Sequence, residues 1–209
     1  MKTFDIITEA DARNLEVGSS VMLKPGGHVT PLAADTLKAR RISVMSNVAE
    51  ASLDGLAPVA EIKSIAIGSD HSGVALKAKL RDHLRQRGFT VLDVGTEGSD
   101  PVDYPDIAAQ VARLVARGEV DASIVIDGAG IGSTIAANKI PGARAAMCTD
   151  KTLARYSREH NGANVLALGS TLLSADEAKA IVETWLATPM GEARYVRRLA
   201  KIRALEKAQ

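Results

Sequence analysis

Residues 124–139 read IVIDGAGIGSTIAANK: an apolar run, an aspartate, three glycines at alternate positions, then a stretch of helical composition. The run reads as a strand and the glycines as a turn into a helix. Gly128, Gly130 and Gly132 let the backbone turn sharply and bring N–H groups close to a ligand, and the following helix adds the positive end of its dipole. Such a loop suits an anion. Asp127 stands at its mouth, where open parallel sheets place their ligands. The spacing is not that of a nucleotide-binding G-x-x-x-x-G-K-[ST] loop, and the strand is the third of its domain, so the expected ligand is small and phosphorylated rather than a dinucleotide. Glycine turns also join strands to helices for steric reasons alone, and that reading stands beside the functional one.

Outward from this stretch, short β-rich runs alternate with segments of helical period from Ser64 onward. The strands are SIAIGSD (64–70), TVLDVG (90–95), ASIVID (122–127), RAAMCTD (144–150) and NVLALGS (164–170). Between them, 73–87 carries Val74, Leu76, Leu80 and Leu84 on one face, and 106–117 carries Ile107, Val111, Leu114 and Val115. Ser174 and Glu177 form a capping box for a helix through Ile181, Val182 and Trp185, and a last helix begins near Gly191. This predicts an α/β domain over 61–209, a five-stranded parallel sheet sandwiched by helices in the Rossmann-like manner. Residues 1–60 break the rhythm and read as a small N-terminal module. It has a helix from Thr30 and Pro31, with Thr30 as the cap, to Arg40 and Arg41, and a linker from Ser46 to Pro58.

The 209 residues, 46% of them apolar, suffice for one good core and a small accessory unit. Twenty-six Lys and Arg against 25 Asp and Glu leave no charge excess to draw the chain to nucleic acid or membrane. One cysteine, Cys148, excludes an internal disulfide framework and reads as a small core residue. No signal peptide and no apolar run of transmembrane length are visible, so the expected location is cytoplasmic. The four histidines are scattered and no metal-ligand spacing is present, so no metal is expected. His83, among Arg81, Asp82 and Arg85, reads as a surface residue.

In an open parallel sheet the strand ends converge on one edge. There the first strand delivers Asp70 and His71, and the third delivers Asp127 and the glycine loop. The helix after the fourth is expected to bring His160 and Asn161 to the same place, and the last helix Arg194 and Arg198, one turn apart. The motifs SDHSG, VDYPD, IDGAGIGSTIAANK, REHNGANVLALG and ARYVRR occur in that order. Together they resemble those of type B ribose-5-phosphate isomerases and their sister sugar-phosphate isomerases, over residues 64–205.

The resemblance implies a five-stranded parallel α/β sandwich and a homodimer, or dimer of dimers, whose active sites are shared between subunits. It also implies cofactor-free interconversion of ribose 5-phosphate and ribulose 5-phosphate through an enediolate. By position it implies that Asp70 and His71 contact the sugar, that His160 opens the furanose ring, and that Asn161 holds hydroxyls. The backbone of Gly128, Ala129, Gly130, Ile131 and Gly132 would stabilise the enediolate, with Ser133 beside it, and Arg194 and Arg198 would clamp the phosphate. The chemistry agrees: an oxyanion needs fixed N–H donors, a phosphate needs cationic forks, and ring opening near neutral pH suits a histidine. Tyr104, in VDYPD, packs over the sugar or braces its loop.

Asp127 occupies the place where many relatives carry a cysteine base, and Ser133 the place where another branch carries a glutamate. Asp127 is therefore the expected proton-transfer base, with helix capping as its structural alternative. Ala129, Thr171 and Tyr195 replace a threonine, a basic residue and a histidine around the substrate. They keep isomerisation of a hexose 6-phosphate, of galactose or allose type, open as an alternative. A third reading is a non-catalytic sugar-phosphate-binding or docking protein. The segment ITEADARNL followed by LKPGGHVTPLAADTLKARRISV resembles the leading part of some bacterial microcompartment-associated proteins, which implies a shell or cargo partner and a place inside such a compartment.

Overall fold

In the computed structural model the described residues are 2–46, 56, 58, 61–190 and 193–206, the side chains at 25, 26, 45, 46, 193 and 194 excepted. The chain divides into two compact units, Met1–Asp54 and Gly55–Gln209.

The first unit holds three strands and two helices, β1 (Thr3–Ile7), α1 (Glu9–Asn14), β2 (Ser20–Val29), α2 (Pro31–Ala39) and β3 (Ser43–Ser46). Its strands form a parallel sheet in the order β1-β2-β3. Of these elements the sequence pattern predicts α2 alone. Polar residues on the outward face and a register shift in β1 against β2 blur the strand signal. The Thr8 side chain accepts from the Asp11 amide and the Asp11 carboxylate returns the bond, a reciprocal cap that starts α1. Thr30, expected to cap α2, makes no side-chain cap bond; the helix begins on Pro31, whose fixed φ suits the first turn. Ile7, Ala12, Leu15, Val21, Leu23, Ala33, Leu37 and Ile42 form a core of the unit's own. The stretch expected to be a linker, 46–58, lies almost wholly outside the described residues.

The second unit runs β4 (Ser64–Ser69), α3 (Val74–Gln86), β5 (Thr90–Asp93), α4 (Tyr104–Ala116), β6 (Ala122–Asp127), α5 (Ile131–Ala137), β7 (Ala145–Met147), α6 (Lys151–Glu159), β8 (Val165–Gly169), α7 (Ala175–Ala187) and α8 (Ala193–Glu206). All five strands are parallel, in the order β5-β4-β6-β8-β7. β6 and β8 are buried along their whole length and β4 beyond its first residue, as apolar runs covered on both faces must be. Ile65, Ile67, Ile124, Ile126, Leu166 and Leu168 meet Leu76, Leu80, Leu84, Ile181, Val182 and Trp185 on one face. The smaller Ala66, Val125, Val165 and Ala167 face Ala108, Val111, Ala112 and Val115 of α4 on the other. Each large side chain so buried contributes on the order of 1.5–3 kcal/mol. Cys148 belongs to the first of these layers, and burial pushes its thiol up to about 11. Among the described residues no helix is long and apolar enough to cross a membrane.

Chain order reverses about β4, with β5 on one side and β6 on the other, so the crevice for a ligand opens between the carboxyl ends of β4 and β6. At the opposite edge Asp121 ties the starts of the same strands: its Oδ2 accepts from the amides of Lys63 and Ser64, each at 2.8 Å, and from the Ser64 hydroxyl at 2.9 Å. Burial alone would raise this carboxyl, but those donors together hold it below the usual aspartate range. A lowered carboxyl stabilises the fold fully above pH about 4 and loses that contribution as pH falls further. Asp121→Asn is expected to lower Tm at pH 7, with the gap to the parent closing toward pH 3; thermal melts at both pH values check this, and an equal gap at both contradicts it.

Candidate active site

The crevice is built from two strand-to-helix turns of the same design. β4 is followed directly by Asp70, whose Oδ1 accepts from the amides of Ser72 (2.9 Å) and Gly73 (3.2 Å) and from the Ser72 hydroxyl (2.6 Å). β6 ends in Asp127, whose Oδ1 accepts from the amides of Ala129 (2.9 Å) and Gly130, and whose Oδ2 accepts from that of Ser133 (2.8 Å). The pairing Ser69↔Ile126 makes the two aspartates next neighbours across the strands, and both are buried. Gly130 sits at φ 80°, a left-handed conformation that a side chain would strain. A Cβ on Gly132 would stand 2.5 Å from the Tyr104 ring, so that position must be bare for the tyrosine to lie on the loop. Tyr104 braces the loop and remains 40% exposed at its edge.

These bonds revise the assignment of the loop amides. Those of Ala129, Gly130 and Ser133 point at Asp127, so in this state they do not face a ligand. The amides of Ile131 and Gly132, in the first turn of α5, have no intrahelical acceptor. The Gly128 carbonyl is turned inward, accepting from the Thr171 amide (3.0 Å) and hydroxyl (2.6 Å). The structural alternative for Asp127, an anchor of the turn, is thus realised in the geometry.

His71 lies exposed beside Asp70, and its Nδ1 accepts from the Val102 amide at 3.3 Å. That bond leaves the ring proton on Nε2, so a neutral His71 presents an N–H donor to the crevice. The loop carrying Val102 starts from Asp93, the last residue of β5. Asp93 is gripped by the buried Lys77 at 2.6 Å, by Arg81 at 3.2 Å and by the Gly95 amide at 3.3 Å. Neither Val102 nor Asp93 was singled out from sequence; nothing in an isolated valine announces a backbone donor.

His160 and Asn161 are elsewhere. They follow α6 and precede β8, next to Gly162 and Asn164; the Asn164 carbonyl accepts from the Ser123 amide at the start of β6. They therefore occupy the amino edge of the sheet, one strand length from Asp127, roughly 15–20 Å at about 3.3 Å per residue. The expectation that all the site residues converge on one edge is corrected: a connection returning through a helix ends where the next strand begins. On that amino edge the His160 ring stacks on Tyr156 and tilts against Tyr195 of α8, each at 4.7 Å between centroids. Asn161 Nδ2 donates to the Tyr156 carbonyl at 3.1 Å, and the Arg198 guanidinium lies 5.6 Å from the Tyr195 ring. The Arg194 side chain lies outside the described residues. One copy thus carries two groups of expected site residues on opposite edges, Asp70, His71, Tyr104 and the Asp127 loop on one, His160, Asn161 and Arg198 on the other.

His83, expected at the surface, is instead half-buried, with Nε2 2.7 Å from Glu183 of α7, where Arg87 also pairs. The spacing within α3 could not reveal a partner a hundred residues away.

Residues 65–202 match the model of the Ribose/Galactose Isomerase family, and the chain belongs to that family. It is 46% identical over 145 residues to ribose-5-phosphate isomerase B of Escherichia coli, covering 69% of this chain and 97% of the relative. The Clostridium thermocellum ribose-5-phosphate isomerase B structure superposes with a TM-score of 0.68 at 50% identity, covering 69% of this chain and 98% of the other. The structure of ribose-5-phosphate isomerase B from Mycoplasma genitalium with bound ribulose-5-phosphate matches with a TM-score of 0.68 at 36% identity, covering 71% and 99%. The family match leaves the first 64 residues outside it.

Proposed function

We propose that this chain interconverts ribose 5-phosphate and ribulose 5-phosphate, at a site that two copies complete by joining the carboxyl edge of one to the amino edge of the other. The observation that carries this reading is the Asp127 turn lying at the switch point beside Asp70 and His71 in a chain so similar to ribose-5-phosphate isomerases B. His160 of one copy moves the proton that opens the ring, with Asn161 holding hydroxyls. Asp127 of the other removes the C2 proton as a carboxylate and returns it to C1, while the hydroxyl proton of O2 passes to O1, so that C1 becomes the alcohol and C2 the carbonyl. The oxygen that gains charge in between is met by the Ile131 and Gly132 amides and by the His71 Nε2–H, donors fixed before the sugar arrives. For this, Asp127 Oδ2 must turn part of its lone-pair density from the Ser133 amide toward the sugar. Arg194 and Arg198 of the first copy hold the phosphate.

The assay is formation of ribulose 5-phosphate, with galactose 6-phosphate and allose 6-phosphate in parallel because Ala129 and Thr171 leave the substrate's surroundings smaller and less charged than the family pattern. Turnover of the pentose phosphate is expected; silence on it, with binding or turnover of a hexose phosphate, overturns the substrate, and silence on all overturns the reaction. The N-terminal unit, with its own core, is read as a docking module for a shell or cargo partner. Deleting residues 1–60 is expected to leave kcat unchanged and to abolish that association.

A further inference from the structure

The carboxyl edge poses an electrostatic problem for the proposed substrate. It presents Asp70, Asp127 and, at the cap of α6, Asp150, all acids, to a sugar that carries a phosphate dianion. Beside Asp70 a cavity of about 180 Å³ opens between α3 and the turn after β8, lined among others by Ser72, Lys79 and Ser170. Its hydroxyls form a chain: Ser170 Oγ lies 3.4 Å from Ser72 Oγ, which donates to Asp70 at 2.6 Å. The basic residues of α3 divide in use. Lys77 and Arg81 are committed to Asp93, while Lys79, exposed at the cavity, makes no ion pair or hydrogen bond among the described residues.

We infer that Lys79, with the Ser170 hydroxyl, forms a subsite for the substrate's phosphate on the carboxyl edge, facing the arginines that the second copy brings. This rests on the isomerase reading above. The residue after Ser170 is Thr171, neutral and turned back onto the Gly128 carbonyl, so the turn after β8 supplies no cation of its own. The Lys79 ammonium on its flexible stem supplies that charge from the neighbouring helix, as a point charge that tolerates more than one phosphate position. The Ser170 hydroxyl, whose long 3.4 Å bond to Ser72 is easily given up, turns its proton to a phosphate oxygen.

The test uses the full-length chain. Lys79→Met keeps most of the stem and removes the charge. It is expected to raise KM for ribose 5-phosphate, and the Ki of inorganic phosphate as a competitor, by about tenfold with kcat within about twofold of the parent, the loss appropriate to one charge-assisted contact. Lys79→Arg is expected to restore most of the affinity, and Tm is expected to stay put because the residue is exposed. KM and Ki within about twofold of the parent for Lys79→Met overturn the subsite, as does an equal loss for Lys79→Arg. Titration calorimetry with ribose 5-phosphate separates the two levels. Parent and Lys79→Met binding equally well removes the subsite and leaves the isomerase reading intact, whereas a parent that neither binds nor converts the sugar removes both.

Discussion

Asp127→Asn is expected to lower kcat for ribose 5-phosphate by about 10³-fold, the range for loss of a positioned general base. The substitution is chosen for what it keeps. Asparagine's carbonyl oxygen can still accept from the amides of Ala129 and Gly130, so the left-handed turn at Gly130 survives. Its NH2 meets the Ser133 amide donor to donor, which costs about 1–3 kcal/mol of stability. The two effects separate: the stability loss appears in Tm, the lost base in kcat per folded molecule. If Asp127 only anchors the turn, the activity loss will follow the folded fraction and kcat per folded molecule will stay within about tenfold of the parent.

Asp93→Ala is expected to cost about 3–5 kcal/mol, because it strands the Lys77 ammonium, whose side chain is 2% exposed, without a counter-charge. For a unit of this size that corresponds to a fall in Tm of roughly 10 °C or more. Asp93 also fixes the start of the loop that ends in the Val102 amide, so KM is expected to rise as the His71 ring loses its hold. Replacing Lys77 and Asp93 together by methionine and leucine is expected to recover much of the stability but not the KM, since an apolar pair removes the buried charge without restoring the Gly95 bond. Circular-dichroism melts and steady-state kinetics on the three proteins decide this; an Asp93→Ala protein melting within a degree or two of the parent contradicts it.

The second unit was legible because its three central strands, β4, β6 and β8, are buried on both faces and so read as unbroken apolar runs, each closed by an Asp or Gly signal; β6 with Asp127 is the clearest case. The first unit was not, because β2 carries Lys24, Pro25, Gly26 and Gly27 within a strand half open to solvent. Within the site, types and neighbours along the chain were readable: Asp70 with His71, Asp127 with its loop, His160 with Asn161. Two things were not. The direction of a helical return decides which edge His160 reaches, and that is a property of topology rather than of residues 158–161. The donors on Asp127, and the Val102 amide on His71, belong to the backbone, which every sequence shares. Tyr195, read only as a departure from the family pattern, proved to be the ring against which His160 rests.

The claim on which the rest depends is that one active site needs two copies, Asp127 from one and His160 from the other. Asp127→Asn and His160→Ala chains, each nearly inactive alone, should be co-expressed with different tags and the mixed dimer isolated. That dimer contains one site with both defects and one with neither, so it is expected to convert ribose 5-phosphate at about half the parental rate. Activity no greater than the mean of the two parent variants would contradict the shared site.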